Sequence, residues 1–160
     1  MELLTHLLIT VVTFISMEFV AWFTHKYVMH GLLWVLHRDH HVGKEGFFER
    51  NDTFFLIFAI PGASLSILGA LAHYDYKFFM GIGITLYGLA YFLIHDIFIH
   101  QRFKLFRNAG SSYFSAIRRA HKMHHKHINK EDGECFGMLL VPYKYFKEAK
   151  KKSNNLFEKA

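Results

Sequence analysis

The chain has one cysteine, Cys135, and only two prolines in 160 residues. A single thiol excludes an intramolecular disulfide and fits a reducing compartment, so Cys135 reads as a small packing residue rather than a metal ligand. Nothing resembles a flexible linker, and the length suits one domain over residues 1–160. Only the polar KKKSNN segment, Lys150 to Asn155, is expected to fray. The N-terminus lacks the basic start and small-residue cleavage site of a secretory signal, so its long apolar run reads as a retained anchor.

More than half of the residues are hydrophobic, and 18 are phenylalanine. Three long apolar runs stand out: Leu3 to Phe23, Phe54 to Ala72, and Phe78 to Ile94. A helix rises about 1.5 Å per residue and the hydrocarbon core is about 30 Å thick, so roughly twenty apolar residues cross it. Each run is long enough. HYDYK alone, His73 to Lys77, separates the second from the third, which predicts a helical hairpin. The fold expected is an all-α integral membrane bundle of three to four transmembrane helices carrying a histidine-rich cap. A soluble bundle with buried helices is the competing reading. Pro61 and the glycines at 62, 69, 81, 83 and 88 read as kink and close-packing positions between membrane helices.

Ten of the 13 histidines fall in four clusters: His25 and His30 in HKYVMH, His37, His40 and His41 in HRDHH, His95 and His100 in HDIFIH, and His121, His124 and His125 in HKMHH. Each imidazole offers a metal one nitrogen, and a transition metal takes four to six ligands, so ten suit two ions better than one. His-x4-His followed by His-x2-His-His occurs twice, suggesting two halves that jointly enclose the site. Positions i, i+3 and i+4 share a helix face, so each triplet is expected to point together. The His-x4-His pairs lie about 140° apart around an α-helix and about 7.5 Å along it. They are expected to straddle a helix end or to serve different metals. Spacing alone does not separate iron from zinc, since imidazole binds both.

If each run crosses once, all four clusters share one face of the membrane. Eighteen of the 19 Lys and Arg residues lie on that same face, Lys77 being the exception. The excess marks that face as cytoplasmic. A net charge of +6 raises the question of nucleic acid, but juxtamembrane Lys and Arg beside anionic lipid heads account for it without such a partner. The same patch suits a small acidic electron carrier. A metal transporter or sensor would need ionisable residues through the membrane helices, and the second and third runs have none at mid-depth.

Other polar residues sort by position. His6 and His73 fall near the opposite interface and read as non-ligands, while His127, next to a cluster, is a weaker ligand candidate. Asp96, beside His95, has two readings: a carboxylate that orients an imidazole, or a hydrated interfacial charge. Glu18 lies inside the first run, seven residues before His25 and nearly on its helix face. An intramembrane carboxylate is costly, and it is expected to hydrogen-bond a ligand histidine. Asn51 and Asp52 read as caps for a helix starting at Thr53. Trp22, Trp34 and Phe92 are candidates to line a substrate channel, or equally to sit in an interfacial aromatic belt.

HKYVMHG with LWVLHRDHH, then GFFERND, HDIFIHQRF, RAHKMHHKH and FGMLLVPYKYF, resemble the bacterial β-carotene 3-hydroxylases of the fatty acid hydroxylase and sterol desaturase superfamily, from about Glu18 to Phe146. The histidine motifs are shared across the superfamily, and the stretch from HKYVMHG to FERND is more specific to the carotenoid branch. The resemblance implies a single membrane hydroxylase domain holding two Fe ions, with O2 as co-substrate, a ferredoxin-like electron donor and a membrane-dissolved carotenoid. It also implies that β-carotene passes through β-cryptoxanthin to zeaxanthin, and that the ten clustered histidines are the metal ligands. Zinc, which binds imidazole more tightly than ferrous iron, is expected to substitute in preparations and to leave them inactive. Ile97 stands where this pattern would have a smaller residue such as glycine, a difference expected to alter pocket shape. Plant relatives carry a transit peptide, whereas this chain starts directly at its first apolar run, as a bacterial inner-membrane protein would.

Chemistry and topology agree with that implication. Carbon 3 of a β-ionone ring has no group to acidify its hydrogen and no centre for a nucleophile, so oxidation by metal-activated oxygen is required. A carotene is about as long as the hydrocarbon core is thick, so it can enter laterally with one ring at the interface. Oxidation of a fatty acyl chain or sterol by the same superfamily remains the alternative, differing only in the channel.

Overall fold

The computed structural model describes residues 1–43, 46–106 and 110–157, and those residues form six α-helices and no strand. In chain order these are α1 (Glu2–Phe23), α2 (Trp34–Val42), α3 (Thr53–Leu71), α4 (Tyr76–Phe92), α5 (Ser112–Lys126) and α6 (Tyr143–Phe157). Two stretches of wider π-helix extend α1 and α4, over Thr24–Leu32 and Leu93–Ile99. A single 3-10 turn, Arg50–Asp52, leads into α3.

Three helices are long and apolar enough to cross a membrane: Glu2–Leu32, Arg50–Leu71 and Tyr76–Ile99. Among the described residues the count is therefore three. Their ends extend past the apolar runs, because the π-helical stretches carry the first and third helices through the histidine pairs. Leu3, Leu7, Phe19, Ile60 and Leu71 are exposed along α1 and α3. Water would make that apolar surface unfavourable, whereas lipid tails match it.

Small residues let the three long helices approach. A Cβ on Gly69 would lie 2.1 Å from the Phe78 amide nitrogen, and one on Gly83 would lie 2.7 Å from the Thr10 carbonyl oxygen of α1. Gly62 and Gly81 sit at similar contacts between α3 and α4. Gly88 departs from the expectation: nothing lies within 4 Å of where its Cβ would be, because it faces away from both partners. Below these contacts Met17, Ala21 and Tyr87 form a buried cluster with Phe14, Phe58 and Ile84. His73 and Tyr74 turn the α3–α4 hairpin with positive φ, and the Asp75 side chain caps α4 by accepting from the Lys77 amide at 3.0 Å. His6 stacks on Phe79, and both it and His73 belong to this end of the bundle.

The remaining elements form the cap. Ala116, Ala120, Tyr145 and Ala149 pack α5 on α6, with Cys135 against that core in the packing role read for it. On α5 the buried residues Ala116, Ile117, Ala120, His121 and His124 form one stripe. KKKSNN, expected to fray, is instead helical, since α6 continues to Phe157.

Candidate metal centre

All four histidine clusters converge. The ligand nitrogens of His25, His30, His37, His41 and His124 lie within 4.8 Å of one another, as do those of His40, His95, His100 and His121. His125 joins the second group, with its Nε2 2.8 Å from Nε2 of His121. We term these the first and second histidine groups.

How the residues divide differs from the simplest helical expectation. In α2, His37 and His41 enter the first group and His40 the second. On α5, His124 enters the first, while His121 and His125 meet in the second. Residues four apart on an α-helix differ by about 40° in direction, whereas consecutive residues differ by about 100°. Each triplet therefore splits between two adjacent sites. The two halves of the chain interlock, the first half supplying His40 to the second group and the later half supplying His124 to the first.

The His-x4-His pairs neither serve different groups nor diverge. His25 and His30 lie within one π-helical stretch and enter the same group, their ring centroids 5.2 Å apart. His95 lies in the other π stretch, His100 caps it, and both enter the second group at 4.5 Å. Bonds of the i→i+5 type close the wider turn, among them the His100 amide donating to the His95 carbonyl at 2.9 Å. A five-residue spacing that diverges on an α-helix comes round to one side here.

Each group is held from outside by hydrogen bonds that Nδ1–H groups donate. In the first group, His25, His30, His41 and His124 donate to the carbonyls of Phe136, Lys130, His127 and Glu134 at 2.9–3.2 Å, and His37 donates to Asn51 Oδ1 at 2.6 Å. In the second, His40 donates to Glu49 Oε2 at 2.7 Å and His95 to Asp96 Oδ2 at 3.2 Å. Arg102 sits across the carboxylates, 3.2 Å from Glu49, 3.1 Å from Asp96 and 2.7 Å from Asp52. Burial raises the Glu49 carboxyl, and the Arg102 guanidinium opposes that shift. Neutral acceptors thus back the first group, and carboxylates bridged by an arginine back the second.

With Nδ1–H committed outward to acceptors, Nε2 of these rings carries its lone pair inward. Yet Nε2 of His25 lies 3.1 Å from Nε2 of His37, His37 is 3.1 Å from His41, His30 is 3.2 Å from His124, and His40 is 3.1 Å from His95. Facing lone pairs repel unless a cation lies between them. A shared proton would create a buried imidazolium, and burial, reinforced by neighbouring rings, pushes His37 down to about 2 and His124 down to about 3. Burial likewise takes His41 to about 4 and His100 to about 3, and holds His40, His121 and His125 far below the ordinary imidazole range. Neutral imidazole donors converging in two sets fit two metal ions.

Other residues singled out in the sequence have specific positions. Glu18 does not meet a histidine: among the described residues its carboxylate accepts from the Tyr87 hydroxyl at 2.6 Å and from the amides of Met138, Leu139 and Leu140, each at 2.9 Å. Neither Asn51 nor Asp52 caps α3 through its side chain: Asn51 holds His37, and Asp52 accepts from the Glu49 amide at 3.0 Å and pairs with Arg102. His127 reaches the centre through its carbonyl. Trp34 packs on His30, His37 and His41. Trp22 borders a cavity of about 330 Å³ with Cys135, Phe136, Gly137 and Leu140. Phe92 is the half-buried last residue of α4, and Ile97 is buried in the second π stretch. Sequence reasoning missed Glu49 and Arg102 and misassigned Asn51. The available signal was their position inside GFFERND and HDIFIHQRF, two motifs that carry the family resemblance.

Comparison with known proteins agrees with this arrangement. The fatty acid hydroxylase family model matches residues 10–144. Beta-carotene hydroxylase of Pantoea ananas is 39% identical over 84% of this chain and 77% of its own length. Proteins of the same name from Pseudescherichia vulneris and Paracoccus sp. (strain PC1) are 36% and 33% identical, each over 87% of this chain, and over 78% and 86% of their own lengths. No solved structure matches. On the family model and the extent of these identities, the chain belongs to the fatty acid hydroxylase family.

Proposed function

We propose that this chain is a non-haem di-iron mono-oxygenase that hydroxylates the β-ionone rings of β-carotene at carbon 3, through β-cryptoxanthin to zeaxanthin. The observation that carries it is the pairing of inward Nε2 lone pairs in two adjacent groups. The carotenoid assignment draws on the relatives named beta-carotene hydroxylase, which resemble the chain over most of its length. Residues 1–160 then act as one membrane hydroxylase domain.

His25, His30, His37, His41 and His124 would hold one iron, and His40, His95, His100, His121 and His125 the other. When bound and reduced by a ferredoxin-like donor, the irons supply the activated oxygen that carbon 3 needs. The stoichiometry is one C–H bond and one O2, with two electrons and two protons from outside, giving one alcohol and one water. The chain's own part is to orient the imidazoles through Nδ1, keep them neutral by burial, and place them at the membrane end of α1 and α4. A carotene in the bilayer can present one ring there, then reverse ends for the second hydroxylation. The Lys and Arg excess supports reading this face as the cytoplasmic side of a bacterial inner membrane.

The test is carotenoid chromatography of a bacterial host that accumulates β-carotene, expressing the chain or its His124→Ala variant. Cryptoxanthin and zeaxanthin are expected only with His124 intact. Folded, iron-loaded protein with a competent reductant but no hydroxylated carotenoid would overturn the carotenoid assignment and direct the search to acyl chains and sterols.

A further inference from the structure

Glu18 hydrogen-bonds no histidine among the described residues, yet its partners lead directly to the first histidine group. Its Oε1 accepts from three consecutive amides, Met138, Leu139 and Leu140, and its Oε2 accepts from the Tyr87 hydroxyl of α4. Every partner among the described residues is a donor, which matches an acceptor-only carboxylate, and the residue is only 7% exposed. Such a set offsets the cost of placing this group within a membrane-spanning helix.

The backbone held this way continues, a few residues upstream, into the support of the first histidine group. Carbonyls of Lys130, Glu134 and Phe136 accept Nδ1–H of His30, His124 and His25. The Phe136 ring packs on the same three imidazoles at centroid distances of 5.1–5.5 Å. Gly137 makes the turn tight: a Cβ there would lie 2.7 Å from the Leu140 carbonyl oxygen and 3.1 Å from Glu18 Oε1. Residues 130–140 therefore form a strap whose one end rests on Glu18 and whose body orients three of the five imidazoles in the first group. The second group takes its Nδ1 support from Glu49 and Asp96, which among the described residues form no hydrogen bond or ion pair with the strap.

We infer that Glu18 is a positioning residue for the first metal subsite alone, acting through the strap, so that the two subsites can be weakened independently. This rests on the two-metal reading above. Loss of an outer support of this kind lowers metal affinity by about 10–100-fold.

The experiment is Co(II) titration of the purified full chain in nanodiscs, with bound metal counted by mass spectrometry and the Co(II) visible bands recorded. Wild type, Glu18→Leu, Glu18→Gln, Tyr87→Phe and Glu49→Gln are compared. Expected are two equivalents in wild type, and in Glu18→Leu one equivalent of unchanged affinity with the other weakened at least tenfold. Glu18→Gln keeps an acceptor for the amides and should recover most of the lost binding. Tyr87→Phe, which removes only one hydroxyl, gives a smaller loss of the same equivalent and serves if Glu18→Leu does not fold. Glu49→Gln should weaken the other equivalent and alter a different part of the spectrum. Two full-affinity equivalents in Glu18→Leu, or in Tyr87→Phe when that variant alone folds, would overturn the inference and leave the two-metal reading intact. Equal weakening of both equivalents would overturn it as well. A wild-type chain that binds no Co(II) at these histidines would overturn both.

Discussion

Asn51 Oδ1 accepts Nδ1–H of His37 at 2.6 Å, joining the turn before α3 to the middle of α2. His37 is 1% exposed, and its Nε2 lies 3.1 Å from the Nε2 atoms of both His25 and His41. The amide thus selects the tautomer and ring orientation of a fully buried member of the first group. Asn51→Leu should lower metal affinity about tenfold or more, read by chelator competition, whereas Asn51→Asp keeps an acceptor and should retain binding. Unchanged affinity in Asn51→Leu would show that packing alone orients His37.

Helix contact in the membrane gives a paired prediction. Gly83 has no room for a side chain against Thr10, and Gly88 faces open space. Gly83→Ala should cost about 1–3 kcal/mol because α1 and α4 must separate. Gly88→Ala should be neutral, within about 0.5 kcal/mol. Detergent-induced unfolding of the two variants checks this, and equal destabilisation would contradict the packing described for α4.

Acid should destabilise the metal-free chain over a defined window. Burial holds His37 at about 2, His124 at about 3 and His41 at about 4, all below the 6.5 of a free imidazole. Below pH 6.5 the unfolded chain binds protons that the fold excludes, so stability is full above 6.5 and falls as pH drops toward those values. Each of the three contributes up to about 1.4 kcal/mol per pH unit in that range. Unfolding midpoints at pH 7.5, 6.5 and 5.0 test the sign: little change between the first two and a marked drop at the third. A flat profile to pH 5.0 would mean that these rings are not buried as neutral donors. Bound metal should shift the drop to lower pH, since protons and metal compete for the same nitrogens.

Much of the bundle was legible in the chain because lipid imposes simple requirements on sequence. A stretch of about twenty apolar residues, a five-residue break at His73 to Lys77, and small residues where helices touch are local features, readable without coordinates. The ten histidines were legible for a similar reason: their spacing repeats, and repetition survives in one dimension. Their assignment to groups was not. Whether i and i+5 diverge or meet depends on the turn being α or π, and here backbone bonds such as His100 to His95 make it π. The separation of His40 from His41 follows from helix phase, but which group each enters depends on where α5 and the second π stretch lie against α2.

By itself the sequence determined an all-helical membrane chain with a ten-histidine centre, because hydrophobic length and histidine spacing are properties of contiguous residues. Tertiary structure alone decided what stands behind each imidazole. Asn51 rather than a helix cap, Arg102 across Glu49 and Asp52, and Glu18 against the amides of 138–140 all join residues 14 to 122 positions apart. Such hydrogen bonds are short-ranged and directional, so they exist only once packing has brought donor and acceptor within about 3 Å, and no spacing along the chain records them.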